Sequence, residues 1–403
     1  MRICMLTTDY LPNIGGVAQH IFELSRALKH LGHELEVIAP IVGKNWSNLQ
    51  KKPFVEELDG IDVYRIPWAS NRTIKFFSGT ISEWLSKRKF HREASERLSK
   101  NQFSVLHWHA LDLTTFPAEH LNGPRIWTNH TSNFIEGIQH PSGLRHYQRE
   151  ASAAHEIICP SKELADLTVG IGVSKNQVHF ISNGVDSKRF RPDLDASHWR
   201  SKLDLSPKDH LILCPRRLEK KNGVRFFIEA AVDILSSGAK NCVFAVAGNY
   251  TGPKENSDEF VVADLIGRSG YSSRFRLLGR VENRDIPGLY SAAHFVVMPS
   301  LLEATSLSAM EAMSSGKAVL STNVGGLPFL IRDGENGLLV PPSNSKELAS
   351  GMKKLLVDPE LCARLGNAGR RRVEVDLDWS RIAEQALCIY DKAIERHRRF
   401  CNA

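Results

Sequence analysis

The chain has 403 residues, a formal net charge of +7, 42% hydrophobic residues and 24% charged residues. This composition is ordinary for a globular protein and excludes a disordered chain, a collagen-like repeat and a disulfide-stapled miniprotein. At roughly 150 residues per domain, the length predicts two or three domains. The seven cysteines are scattered and form no C-x-x-C pair, so we expect a reduced, cytoplasmic protein without a cysteine metal site.

The excess positive charge is shared between the two halves of the chain and forms no basic tail. No zinc-finger or RNA-recognition signature accompanies it. Nucleic acid is therefore disfavoured as a partner.

The first forty residues predict a strand, a helix and a second strand. Residues 2–8 are a short apolar run, and apolar residues then recur at helical spacing from Val17 to Leu31. Gly32 is the predicted helix stop, and residues 34–40 are the next strand. Such a βαβ unit implies a parallel sheet.

The same alternation returns after a polar, proline-containing stretch at 186–209, which we interpret as the linker between two doubly wound domains. A helix is predicted over 224–237, ending at Gly238. The strands predicted in this second half span 211–215, 242–248, 274–279, 295–300, 318–322 and 337–342.

The turn that contains Gly15 and Gly16 leaves the first strand and opens the first helix. Glycines allow a ligand to approach the backbone, and a helix N-terminus favours an anion. A tight turn without a ligand is an equal alternative. Glu36 follows Gly16 by 20 residues, but G-x-G-x-x-G is absent, so a dinucleotide-dependent hydride-transfer enzyme is disfavoured.

Histidines follow two of the predicted strands: His107 and His109 in SVLHWHA, and His130 in RIWTNHT. Ligands bind beyond the carboxyl ends of parallel strands, where histidine can donate to a sugar hydroxyl or transfer a proton. A packing role is favoured for each histidine taken alone. A metal site would need a third ligand at a recognisable spacing, and the sequence shows none.

A cationic turn, RRLEKKNG at 216–223, follows the first strand of the second half. Arginine can bind a phosphate through two hydrogen bonds, and lysine adds a point charge. A solvated loop is the equally weighted alternative.

The most specific block is PSLLEATSLSAMEAMSSGKAVLSTNVGGLP at 299–328. Glu303 lies in the predicted loop, a helix starts near Thr305 and Ser306, and Glu311 follows Glu303 by eight residues. Eight helical residues span ~12 Å, beyond the ~5–9.5 Å between paired glycosidase carboxylates. The spacing instead suits a long substrate, held by one carboxylate at each end and by helix N-terminal amides between them.

This block resembles the E-x7-E motif of retaining glycosyltransferase family 4. Other segments match that family in chain order: PNIGGVAQH (12–20), HWH (107–109), His130, ICPSKELAD (158–166), ISNGVDSKRF (181–190), RRLEKKNGV (216–224), LLGRV (277–281) and DWSRIAEQALCIY (378–390). The likeness covers nearly the whole chain.

The resemblance implies an α/β protein of the GT-B architecture, with two doubly wound Rossmann-like domains facing across a cleft. Residues 1–190 would form the acceptor-side domain, 191–375 the nucleotide-sugar domain, and 376–403 a helix that returns to the first domain.

The resemblance also assigns roles to residues at matching positions. Glu311 would hold the ribose hydroxyls, Glu303 the donor sugar near its 3- and 4-hydroxyls, and the backbone of Val281 the base. Arg217 and Lys221 would neutralise the diphosphate, aided by the amides of Thr305, Ser306 and Leu307 and those near Gly15 and Gly16. His130, with His109 nearby, would lie beside the transferred sugar, close to its 6-hydroxyl.

The implied reaction is transfer from a nucleotide sugar, with a UDP-sugar favoured over a GDP-sugar, to a hydroxyl with retention of anomeric configuration. The departing phosphate would help to deprotonate the acceptor, and no metal or other cofactor is expected. The chain departs from the family pattern at Ala304–Ser306, where Gly-Phe-Gly is common, and at Asn222, where a gapless match expects Lys. Lys221 would take that role by a one-residue shift, and Arg216 is likewise an alternative to Arg217.

A saccharide, a lipid-linked molecule or a small molecule could be the acceptor. Residues 72–100 hold eight Lys and Arg against three acidic residues, with Ile81, Trp84, Leu85 and Phe90 between them. This pattern is compatible with peripheral contact to an anionic membrane, although a helix packed on its own domain is slightly favoured. The alternative functions are a nucleotide-sugar 2-epimerase of the same fold and a catalytically silent nucleotide-sugar-binding protein.

Overall fold

The computed structural model of the chain describes residues 1–12, 15–43, 50–69, 78–109, 123–130, 132–249, 254–303 and 305–401. The chain divides into two compact units. The first comprises Met1–Asn183 with Trp379–Ala403, and the second comprises Gly184–Asp378.

The first unit is built on an eight-stranded sheet of order β3-β4-β2-β1-β5-β6-β7-β8, in which only the β3–β4 pair is antiparallel. Its strands are β1 (Arg2–Thr7), β2 (Glu34–Gly43), β3 (Phe54–Leu58), β4 (Ile61–Ala69), β5 (Val105–His109), β6 (Arg125–Thr128), β7 (Glu156–Cys159) and β8 (Val178–Phe180). Its helices before the second unit are α1 (Gly16–His30), α2 (Ser78–Lys100), α3 (Ser132–Gly137), α4 (Pro141–Ala153) and α5 (Lys162–Gly170).

The second unit is built on a six-stranded, all-parallel sheet of order β11-β10-β9-β12-β13-β14. Its strands are β9 (His210–Cys214), β10 (Cys242–Ala247), β11 (Phe275–Gly279), β12 (Phe295–Met298), β13 (Ala318–Thr322) and β14 (Leu338–Val340). Its helices are α6 (Ser197–Lys202), α7 (Val224–Ser236), α8 (Glu259–Arg268), α9 (Ile286–Ala292), α10 (Leu307–Ser314), α11 (Leu327–Leu330), α12 (Ser345–Val357) and α13 (Pro359–Arg372).

Both faces of the second sheet are covered, which explains why its strands are apolar without interruption. Successive side chains of a strand point to opposite faces. Leu211 and Leu213 of β9 accordingly join one buried cluster, and Ile212 and Cys214 join the other. These apolar runs predict the strands of the second half from the sequence. Each predicted strand is present, and its ends lie within a few residues of the predicted ends.

The last helix, α14 (Trp379–Cys401), belongs to the first unit. A buried stripe at helical spacing, which includes Ile382, Ala386 and Ile389, packs in the same cluster as Ile21 and Leu24 of α1. This placement is the one that the resemblance implies for the end of the chain.

The polar stretch at 186–209 lies within the second unit and is more than a connector. It contains α6, and its side chains Phe190, Trp199 and Leu203 are buried in that unit's core. The boundary between the units falls between Asn183 and Gly184, seven residues before the predicted position of 190. The sequence does not predict this packing, because the apolar residues of the stretch are few and are separated by polar ones.

Gly32 takes a positive φ of 86°, as predicted for the residue that ends α1. Leu31 is 39% exposed rather than buried, because it follows the last helical residue. Within the described ranges, no helix has the length and apolar character needed to cross a bilayer.

Candidate functional site

The loops that follow β9 and β12 lie side by side at the carboxyl edge of the second sheet. These two strands are neighbours, with Ile212 opposite Phe295 and Leu213 opposite Val296. From β9 the chain continues to β10 on one side, and from β12 it continues to β13 on the other. This is a topological switch point, the place where open α/β sheets bind ligands.

Backbone contacts join the two loops directly. The amides of Leu301 and Leu302 donate to the carbonyl of Lys221 at 2.8 and 3.2 Å. Gly223 has a φ of +66°, and a Cβ atom there would lie 2.0 Å from the carbonyl oxygen of Pro299. Only glycine fits at this position. The cationic turn therefore packs directly against the loop that leads to Glu303.

Arg216 and Glu303 form an ion pair across these loops, with Nη2 of Arg216 donating to Oε2 of Glu303. Only 12% of the arginine side chain and 13% of the glutamate side chain are exposed. The same Nη2 donates to Oδ1 of Asn222 at 2.8 Å, and Nδ2 of Asn222 donates to the carbonyl of Arg217 at 3.0 Å. Asn222, which breaks the family pattern, therefore orients the arginine that holds Glu303.

Arg217 and Lys221 lie elsewhere in the same turn. Their side chains are 65% and 41% exposed, and each cation lies 3.3 Å from a different oxygen of the Glu219 carboxylate. Glu219 thus pairs with both cations. The structure brings Arg216, rather than Arg217, to Glu303.

Glu311 lies on α10, and Tyr290 of α9 orients it. The Tyr290 hydroxyl donates to Oε2 of Glu311 at 3.0 Å and lies 3.1 Å from the carbonyl of Ser308. Burial, together with the charge of Glu311, raises the pKa of Tyr290 well above its usual value. The phenol therefore stays protonated and serves as a permanent donor to the carboxylate.

The α10 helix begins at Leu307, and Ser306 is its N-cap, with Oγ accepting from the amide of Ala309 at 3.2 Å. Thr305 precedes the cap, so the first-turn amides are those of Leu307 and the residue after it. Val281 follows β11 and packs, partly buried, against the core of the second unit.

The first unit has its own switch point, between β1 and β5. Gly15 is the N-cap of α1 and offers no side-chain cap, and Gly16 is its first residue. A Cβ atom added at Gly16 would meet nothing within 4 Å among the described atoms. Residues 13 and 14 lie outside the described residues.

Four histidines cluster at this edge of the first sheet: His20 on α1, His107 and His109 on β5, and His130 after β6. The nitrogens of His107 are both engaged, with the Tyr390 hydroxyl at 2.8 Å and Thr128 Oγ1 at 2.6 Å. His107 thus has the satisfied packing role that its sequence context favours.

The other three histidines are linked differently. His109 Nδ1 and His130 Nε2 lie 2.8 Å apart, and His20 Nδ1 lies 2.8 Å from Oδ1 of Asn183. Burial lowers the pKa of His20 to about 4 and the pKa values of His109 and His130 well below their usual range. All three imidazoles are therefore neutral at pH 7.

No local pattern in the sequence singles out His20, Asn183 or Tyr290. His20 ends the segment PNIGGVAQH, but its partners are far away along the chain, since Asn183 lies 163 positions later. Only the fold brings such residues together.

The basic helix α2 packs on the sheet, with Phe90 and Ala94 fully buried. Trp84 is 51% exposed, and the guanidinium of Arg88 lies 4.6 Å from its ring centroid. The side chain of Ile81 and residues 72–77 lie outside the described part. The helix therefore uses its apolar side for its own unit and retains one exposed aromatic residue among cations.

Two family models match the chain one after the other. The model described as Glycosyltransferase Family 4 matches residues 14–189, and the model described as Glycosyl transferases group 1 matches residues 195–372. The chain belongs to glycosyltransferase family 4.

Similar proteins agree with this family 4 assignment. An uncharacterised glycosyltransferase of Methanocaldococcus jannaschii is 27% identical, covering 98% of this chain and 99% of its own. Sucrose-phosphate synthase from Thermosynechococcus elongatus is similar in structure with a TM-score of 0.78, 22% identity and coverage of 98% and 100%. Anabaena HepE, solved with UDP and glucose, has a TM-score of 0.74, 20% identity and coverage of 97% and 99%. The fold of this family 4 glycosyltransferase is the predicted GT-B fold.

Proposed function

We propose that this glycosyltransferase moves a sugar from a nucleotide-sugar donor, a UDP-sugar in preference to a GDP-sugar, to an acceptor hydroxyl with retention of anomeric configuration. The observation that carries the proposal is the assembly of Arg216, Glu303 and the cationic turn at the switch point of the second unit. The solved structure of Anabaena HepE with UDP and glucose supports the choice of donor nucleotide.

In this proposal the diphosphate binds at Arg217 and Lys221. Glu219 pairs with both cations in the structure, and a diphosphate would replace it as their partner. The first amides of α10, beginning with that of Leu307, lie at the positive end of the helix dipole, which favours an anion. Stabilising the negative charge that develops on the leaving phosphate is the main catalytic contribution of these groups.

Glu303 and Glu311 bind the two ends of the donor in this proposal. Glu303 accepts hydrogen bonds from the hydroxyls of the sugar, while Arg216 and Asn222 fix the direction of its carboxylate. Glu311 accepts from the ribose hydroxyls, and Tyr290 fixes its Oε2. The backbone of Val281 meets the base.

Retention follows from attack on the face from which the phosphate departs. The departing phosphate oxygen takes the proton of the acceptor hydroxyl as the new glycosidic bond forms, so the leaving group itself serves as the base. Cationic side chains neutralise the diphosphate, and the transfer step uses no metal.

The first unit supplies the acceptor site in this proposal, for a saccharide, a lipid-linked molecule or a small molecule. His130 would lie beside the transferred sugar, and its Nε2 atom lies 2.8 Å from Nδ1 of His109. Gly15 and Gly16 would offer the first backbone amides of α1. His109 Nδ1 and His130 Nε2 share one proton in their hydrogen bond. The imidazole of His130 is therefore neutral, and its other nitrogen can make a hydrogen bond with a sugar hydroxyl.

The test is incubation of the whole chain with UDP-glucose, with and without an acceptor mixture, followed by proton NMR of the products. A retaining transferase gives UDP and a product with the anomeric configuration of the donor. Conversion of the donor alone into its C2 epimer would establish the epimerase alternative. Inversion at the anomeric carbon would overturn the mechanism, and binding of donor without any turnover would establish the silent protein.

A further inference from the structure

Glu219 lies inside the cationic turn, between the two cations that the proposed function assigns to the diphosphate. Its Oε1 is 3.3 Å from Nζ of Lys221, and its Oε2 is 3.3 Å from Nη2 of Arg217. The carboxylate side chain is only 17% exposed, whereas both cationic side chains are largely exposed. The acid is therefore the more deeply placed partner, and the cations keep a side that is open to solvent.

We propose that Glu219 is an internal counter-ion that competes with the diphosphate for Arg217 and Lys221. This inference rests on the proposed function, because it concerns the affinity of that same diphosphate site. Two cations and one carboxylate carry only one net positive charge, so Glu219 weakens the attraction of the turn for an anion. Product release limits turnover in many enzymes, and a weakened site lets the nucleoside diphosphate product leave.

The contacts of Glu219 are those of a partner that a stronger anion can displace. Its Oε2 is buried and receives no hydrogen bond from the described residues. Both of its 3.3 Å contacts are longer than the roughly 2.7–2.9 Å of a charge-assisted hydrogen bond between nitrogen and oxygen. A diphosphate offers more negative charge and more acceptor oxygens than one carboxylate, so it can take over both cations.

The neighbouring ion pair shows that loose contacts are not a general property of the turn. Nη2 of Arg216 donates to the carboxylate of Glu303, and the same nitrogen donates to Oδ1 of Asn222 at 2.8 Å. One carboxylate is thus fixed by a hydrogen bond, while the carboxylate of Glu219 is held by charge. A fixed carboxylate suits the binding of sugar hydroxyls, and a loosely held one suits exchange with a phosphate.

Backbone contacts place Glu219 in the turn without using its carboxylate. Residue 219 forms an isolated antiparallel bridge with Ser257, and the amide of Asp258 donates to the carbonyl of Leu218 at 3.0 Å. The carbonyl of Glu219 accepts from the amide of Asn222 at 2.8 Å. Removing the charge of the side chain should therefore leave the turn in place.

The test variant is Glu219→Gln, which keeps the size of the side chain and removes its charge. The matched control is Glu335→Gln. Glu335 is an exposed acid of the same unit, and it pairs with Arg332 at 3.6 Å in the segment before β14. Both variants lose one negative charge, so only a local effect distinguishes them.

Calorimetry of the whole chain at low salt measures the binding of UDP, inorganic pyrophosphate and uridine. An exposed ion pair changes an affinity by a few-fold, and Glu219 belongs to two pairs, so Glu219→Gln should bind UDP and pyrophosphate roughly three- to ten-fold more tightly. Uridine has no phosphate and should bind the variant no more tightly than the native chain. Glu335→Gln should match the native chain with all three ligands.

Circular dichroism shows whether each variant folds, and Glu219→Asp decides the matter if Glu219→Gln does not. The shorter side chain of Glu219→Asp draws the carboxylate back from both cations, so pyrophosphate should bind about two-fold more tightly.

The failure of the proposed function and the failure of this inference give different results. No binding of UDP and pyrophosphate by the native chain would overturn the diphosphate site, and this inference with it. Native binding together with equal or weaker binding by the folded Glu219 variant would overturn this inference alone, because Glu219 would then orient the cations. Equal tightening in Glu335→Gln, or tighter binding of uridine by Glu219→Gln, would also overturn it.

Discussion

Arg216 donates to the carboxylate of Glu303, a residue 87 positions further along the chain. The two side chains come from loops that follow neighbouring strands, and both are largely buried. This pair links the turn proposed to bind the diphosphate to the carboxylate proposed to bind the sugar. It also separates the roles of two adjacent arginines.

We predict that Arg216→Met lowers both stability and activity. Removing one partner of a largely buried ion pair costs about 3 kcal/mol, because Glu303 keeps a buried charge. Urea unfolding measures this loss, and steady-state kinetics measures the accompanying fall in kcat/KM.

The control is Arg217→Met, which removes the adjacent, 65% exposed cation. It should leave the free energy of unfolding within about 0.5 kcal/mol of the native value, as for other exposed pairs, while it lowers kcat/KM roughly 10- to 100-fold. Equal losses of stability in the two variants would contradict the distinction between the arginines.

The contact between Tyr290 and Glu311 predicts a defect in donor binding. In Tyr290→Phe the ring remains, and the hydroxyl loses its 3.0 Å hydrogen bond to Glu311 and its 3.1 Å contact with the carbonyl of Ser308. A hydrogen bond to a charged group contributes about 1.5–3 kcal/mol, so the donor KM should rise roughly 10- to 100-fold. Glu311→Gln should raise it further, and a KM unchanged in both variants would remove Glu311 from the donor site.

Gly325 and Gly334 distinguish a steric effect on Glu303 from backbone strain. Both residues have a positive φ, +53° at Gly325 and +74° at Gly334. A Cβ atom added at Gly325 would lie 1.6 Å from the carbonyl oxygen of Glu303. A Cβ atom added at Gly334 would meet nothing within 4 Å among the described atoms. Gly334→Ala should cost only the strain, about 1–2 kcal/mol, and retain activity. Gly325→Ala should destabilise more and displace Glu303, so that kcat falls strongly in a transfer assay. Full activity in Gly325→Ala would contradict this account.

The lowered pKa of His294 predicts that the protein loses stability in acid. Burial, then the charges of His210 and Lys317, lowers the pKa of His294 to about 4, below the value of ~6.5 in an unfolded chain. Its contribution is therefore complete above pH 6.5 and is lost as the pH falls towards 4. Since the side chain is partly exposed, we expect it to account for about 1–2 kcal/mol. Urea unfolding at pH 4.5 and 7 should show a smaller difference for His294→Gln than for the native chain, with exposed His30→Gln as the control.

Helix α2 predicts weak binding to anionic membranes. Trp84 and Arg88 form an exposed aromatic–cation pair on it. Low salt should favour binding to phosphatidylserine vesicles, and Trp84→Ala should weaken it several-fold because the ring is the apolar anchor. Sedimentation with vesicles measures this, and no binding by the native chain at low salt would remove the membrane role.

The sequence predicts the second sheet well because its strands are buried on both faces and read as apolar runs, such as 295–298. It does not predict the β3–β4 hairpin, because Phe54 and Val55 are about half exposed and form no such run. The block with Glu303 and Glu311 identifies the family and its carboxylates. The choice between Arg216 and Arg217, and the contacts of His20 and Tyr290, depend on which side chains meet across loops, and no local pattern carries that information.

The most direct test of the central claim is the melting temperature of the chain with UDP, GDP and ADP, in the native form and in Glu311→Gln. A ligand at 100 times its Kd stabilises the native state by about 2.7 kcal/mol, which corresponds to a rise of about 5–10 °C for a unit of this size. We predict that UDP gives the largest rise and that Glu311→Gln greatly reduces it. No rise with any of the three nucleotides, or an equal rise in Glu311→Gln, would contradict the proposed donor site.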